Sequence, residues 1–243
     1  MSNPVTALVV LLGKAIAAAA TRPLVERAAR IAFPGFRRGV DAKIDGKLSE
    51  FAEALRHELS RVIERHGVDQ ESAKSFSTVQ LLIRACRAVV EEQDEAKRTA
   101  YARLIARSVD RRWSGKYGRI EEALRTVIEC SEDDFKVLGA VISVRRNSIR
   151  NQKFRKSRAD PAIQELLGFD PIPIPELSAK RVANAAQIPL DRTLAHLDRL
   201  QRLGLVRLGP SISSSGPLSG RPIASSGMVT PLLKELSELL EVE

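Results

Sequence analysis

Seven cations, Arg145, Arg146, Arg150, Lys153, Arg155, Lys156 and Arg158, fall within fourteen consecutive positions that hold no acid. The formal net charge of the chain is +9, and without these seven it would be +2. Charge concentrated in this way suits neutralisation of a polyanion, with nucleic acid as the expected partner. The alternative is a solvated, flexible loop that its own charge keeps soluble.

A second set of side chains has the spacing for reading base edges. Arg192, His196 and Arg199 stand at i, i+4 and i+7 of a helical pattern, away from its leucines. Arginine can make paired contacts to guanine in the major groove. Asp191 and Asp198 dilute this face, and with Arg202 the helix nets only +1. The longer basic run would then supply phosphate contacts, which position a protein without specifying sequence. The rival reading makes these arginines a mixed-charge exterior on a protein-docking module.

Catalytic and metal chemistry find no support in residue spacing. There are three histidines; His57 and His66 are nine apart, more than two helical turns, and no Cys/His group has zinc spacing. Gly216, Gly220 and Gly227 belong to a Ser/Pro-rich segment without the Lys-Ser/Thr of a phosphate loop. Ser213, Ser214 and Ser215 have no base nearby, and Glu91-Glu92 and Glu121-Glu122 sit among basic residues on helices. A non-enzymatic binding protein is expected, with no cofactor and no metal.

The elements that must position the cations are mainly helical. Aromatics make up 4% of the chain, so packing falls to Leu, Ile, Val and Ala. Three- and four-residue spacing predicts helices carrying Leu48, Phe51, Leu55, Leu59, Val62 and Ile63, then Val79, Leu82, Ile83, Cys86, Val89 and Val90. Ala100, Tyr101, Leu104, Ile105 and Val109 make a third, and Ile120, Leu124, Val127 and Ile128 a fourth. Residues 1–130 therefore read as a helical bundle.

Residues 131–243 read as a winged helix-turn-helix with a small β wing. Ser131 is a fitting N-cap, followed by acids at Glu132, Asp133 and Asp134, with Cys130 and Phe135 placed as a staple. That helix is expected to bury Phe135, Leu138, Val141 and Ile142 and then to run into the basic segment 145–158. Prolines at 171, 173 and 175 admit only an edge strand. Ser178 opens a short helix, Pro189 suits the first position of the next, and Gly204 ends it. Leu205 to Leu208 and Met228 to Thr230 are the strands flanking a flexible wing, 209–227, in which 14 of 19 residues are Gly, Pro or Ser. The alternative for this half is an ordinary helical hairpin.

Val5 to Ala20 is apolar except at Thr6, Gly13 and Lys14, and is shorter than the roughly 20 residues of a spanning helix. A buried or self-associating helix is expected there, with membrane insertion as the alternative. Cys86 and Cys130 lie inside apolar patterns, as small buried hydrophobes of a reducing, cytoplasmic compartment.

Two segments also carry a family resemblance. They are Glu-Glu-Gln-Asp-Glu-Ala-Lys-Arg-Thr-Ala-Tyr-Ala-Arg-Leu-Ile-Ala-Arg (91 to 107) and Cys-Ser-Glu-Asp-Asp-Phe-Lys-Val-Leu (130 to 138). Across residues 77–208 the chain resembles the bacterial abortive-infection alpha family of small helical proteins. The resemblance implies a role in defence against phage. It rests on packing and capping patterns, so it carries over no functional residue.

Overall fold

The computed structural model describes residues 21–33, 42–158, 177–208, 226–229 and 231–240. The chain is mainly helical and divides into two compact units, Met1–Glu129 with Glu238–Glu243, and Cys130–Ser237. The apolar Val5 to Ala20 segment and the prolines at 171, 173 and 175 lie outside the described residues. Among the described residues, no helix is long and apolar enough to cross a membrane.

The first unit contains α1 (Thr21–Ala32), α2 (Ala42–Arg65), the one-turn α3 (Gln70–Ala73), α4 (Phe76–Glu91), α5 (Glu95–Arg107) and α6 (Tyr117–Glu129). Helix α2 packs on α5 and α1 on α4. The stripe predicted for α2 is the buried one, with Phe51 and Leu55 fully enclosed. Burying a side chain of that size contributes about 1.5–3 kcal/mol. Two edges of the stripes were misjudged: Ile63 and Ile128 are exposed rather than buried. Each neighbours a true core position, Val62 and Val127, and a 100° step carries the next residue off the face. Helix α4 is capped by Ser75, whose hydroxyl accepts from the Thr78 amide, and α2 ends where Gly67 takes φ 75°. Cys86 and Cys130 are both buried and not joined in a disulfide, and burial pushes the Cys86 thiol far up.

The second unit opens with α7 (Glu132–Arg158), followed by β1 (Leu177–Ser178), α8 (Ala179–Ala186), α9 (Leu190–Arg202), β2 (Val206–Leu208) and β3 (Ser226–Val229); α10 (Pro231–Leu240) belongs to it as far as Ser237. The three short strands pair antiparallel in the order β1-β3-β2, with Leu177 opposite Gly227 and Val206 opposite Val229. Ser226 and Gly227, assigned from the sequence to the flexible wing, belong instead to β3.

Helix α7 corrects the sequence reading in two respects. The basic run is not a loop: the helix continues unbroken through Arg158. No glycine or proline interrupts positions 140–158, and cations are favoured near the negative end of a helix dipole. Its buried face is Asp134, Val137, Leu138 and Val141, whereas Phe135 and Ile142 are only half-buried. The apolar stripe is therefore turned so that it takes in an acid.

The turn between α8 and α9 is tight. Gln187 has φ 57°, the left-handed value a glycine usually supplies, and the Ile188 amide donates back to the Ala183 carbonyl. Pro189 stands at the N-cap, one place before its expected position. At the other end of α9, Gly204 has φ 73°; its amide donates to Gln201, and the Leu205 amide to Leu200. These two bonds make a Schellman ending, with Leu200 and Leu205 both buried.

Candidate nucleic-acid interface

The site is built outward from the first turn of α7. The Ser131 hydroxyl accepts from the Asp134 amide at 3.2 Å, and an Asp134 carboxylate oxygen accepts from the Ser131 amide at 2.8 Å. This is a capping box with aspartate in place of glutamate. Asp134 is fully buried, so its carboxylate needs partners for the rest of its hydrogen-bonding capacity. Helix α9 supplies them: His196 Nδ1 lies 2.8 Å from one carboxylate oxygen and Arg199 Nε 3.2 Å from the other. Burial pushes the Asp134 carboxyl up, but the Ser131 and His196 hydrogen bonds and the Arg199 charge outweigh it and hold it below the ordinary value.

Two of the three residues predicted to read bases are therefore bound to their own fold. His196 is largely covered, with Nε2 3.9 Å from Asp133, and the Arg199 side chain is 50% exposed while paired to Asp134. Arg192, on the same helix, is exposed and has no carboxylate within 4 Å among the described residues. Arg202 pairs with Asp198 at 2.9 Å, one turn back along the helix surface.

Sequence reasoning missed two features. Asp134 was read as one of three interchangeable acids in a first helical turn, when it is the anchor of α9. Lys180 and Arg181, in the first turn of α8, are exposed and were not considered; the signal was a basic pair directly after a predicted helix start.

The seven cations occupy the last fourteen residues of α7, positions 145–158, a rise of about 21 Å. At about 100° per residue, positions 145, 146, 150, 153 and 156 share roughly 140° of its circumference, and 155 and 158 fall outside that arc. Among the described residues no group of three or more His, Cys, Asp or Glu side chains could hold a metal ion. Compared with known proteins, the chain matches no family model, no curated protein and no solved structure.

Proposed function

We propose that this chain is a nucleic-acid-binding protein whose second unit makes the contact, chiefly through phosphates. The observation that carries the reading is α7: seven cations and no acid along one continuous helix at positions 145–158. Like charges spaced three and four residues apart on a helix repel one another, and a polyanion relieves that repulsion. We read the unit around it as a winged helix-turn-helix. Support comes from the succession helix, strand, helix, tight turn, helix, strand, strand, and from the strand order β1-β3-β2. Because His196 and Arg199 are paired with Asp134, α9 offers Arg192 for contact, and the reading leans to position-fixing contacts over base discrimination. A non-enzymatic role in phage defence, in the cytoplasm, belongs to the same proposal and rests on the family resemblance.

The test is duplex-DNA affinity across a salt series for the wild type and a variant with Lys153, Arg155, Lys156 and Arg158 changed to Gln. Each phosphate contact contributes a slope of about −0.9 to log K against log salt. If the segment binds as a helix along its charged arc, only positions 153 and 156 count, and the slope flattens by about 1.8. An extended chain using all four would flatten it by about 3.6. Equal slopes would remove the basic helix from the contact surface and the proposal with it.

A further inference from the structure

In the first unit, the loop between α5 and α6 and the first turn of α6 gather a second group of cations. Arg111, Arg112, Lys116 and Arg119 lie within nine residues that contain no acid, and all four are exposed. We infer that this loop is a second phosphate-contacting surface for nucleic acid. The inference rests on the proposed nucleic-acid function and extends it to a surface outside the winged module.

Preorganisation distinguishes this group from ordinary surface charge. Asp110 is fully buried; it caps the 3-10 turn Arg111–Trp113 by accepting from the Arg112 amide at 2.9 Å, and it also takes the Arg107 guanidinium at 2.8 Å. Arg112 reaches the same carboxylate at 3.2 Å while its side chain stays 46% exposed, so it is held in place yet still faces solvent. The Lys116 ammonium sits 4.9 Å from the centre of the Trp113 ring, a cation–π contact that fixes its position. The Arg111 guanidinium lies alongside Gly67, and its amide donates to the Gly67 carbonyl at 3.3 Å. A bridge between Val68 and Asp110 ties the loop to the end of α2.

Some exposed arginines of this unit have carboxylate neighbours, as in Arg22 with Glu26 and Arg84 with Glu121. Arg111 and Lys116 have none within 4 Å among the described residues. The nearby acid Asp69 accepts from the hydroxyls of Ser114 and Ser72, at 2.6 and 2.8 Å, and these bonds hold its carboxyl below the ordinary value. Ser114 is thereby used internally, and the phosphate contacts fall to the cations. Cations held in advance lose less side-chain entropy on meeting a phosphate than free ones do. Trp113 is itself nearly covered, which favours backbone contact over base stacking.

The test uses the full chain with Arg111→Gln and Lys116→Gln together, and a conservative control with Arg111→Lys and Lys116→Arg. Two lost contacts should flatten the duplex-DNA salt slope by about 1.8, and the control should keep the wild-type slope. Trp113 is the only tryptophan, so its fluorescence gives a local readout. Duplex DNA should shift it in the wild type, through the adjacent Lys116, and leave it unchanged in the Gln variant. A wild-type slope in the Gln variant overturns the inference; if the Lys153 to Arg158 variant still flattens the slope, the proposed function stands without it. No duplex binding by the wild type overturns both. Loss of binding to phosphatidylserine vesicles in the Gln variant, with duplex binding unchanged, assigns the surface to lipid and also overturns the inference.

Discussion

Replacing Asp134 by Ala tests how the second unit is held together. The carboxylate caps α7, accepts a hydrogen bond from His196 and pairs with Arg199, and it is fully buried. A lost cap costs about 1 kcal/mol. A buried hydrogen bond to a charged group is worth about 1.5–3 kcal/mol. The Arg199 side chain is 50% exposed, so solvent screening limits its share to under about 1 kcal/mol. Because these contributions share one side chain and do not simply add, the expected loss is about 2–4 kcal/mol. A chain of two units need not unfold in one step, so a local probe is required. Amide hydrogen exchange of α8 and α9 peptides supplies it, with protection expected to fall by about 30- to 1000-fold, since about 1.4 kcal/mol is tenfold. Ser131→Ala, which removes the cap and the hydroxyl's 2.7 Å bond to the Asp134 carboxylate but keeps His196 and Arg199 in place, should cost less, about tenfold. The pH dependence has a definite sign. Asp134 titrates below its unfolded value, so its stabilisation is present above the ordinary carboxylate pKa of about 3.9 and is lost as pH falls through the depressed folded value. Asp134→Asn should lose that part of the acid sensitivity. A fall in protection of less than threefold in Asp134→Ala would refute the idea that this carboxylate anchors α9.

Gln187→Gly should stabilise the second unit by about 0.5–1 kcal/mol, because φ 57° costs a residue with a Cβ more than it costs glycine; slower amide exchange across α8 and α9 would show it. Cys86 is buried with its thiol pushed far up, so the native protein should leave it unalkylated by iodoacetamide over times that fully modify it in urea, as read by peptide mass spectrometry.

Local patterns settled much of this protein without tertiary information. The period of the leucines and valines marked which face of α2 and α4 is buried, because a helix repeats its faces every 3.6 residues whatever it packs against. Gly67 and Gly204 marked helix ends for an equally local reason, since a left-handed residue is cheapest without a Cβ. Ser131 marked the start of α7 because capping involves only the next three residues. What needed the tertiary structure was the use made of charge. His196 and Arg199 are 62 and 65 positions from Asp134, and nothing in the spacing of α9 reveals that its cations meet a buried acid on another helix. The same holds for Arg111 and Gly67, brought side by side by the pairing of two loops. A charged side chain has the same local signature whether it faces solvent or a partner. Only the packing of α9 on α7 decides which arginine remains for a ligand.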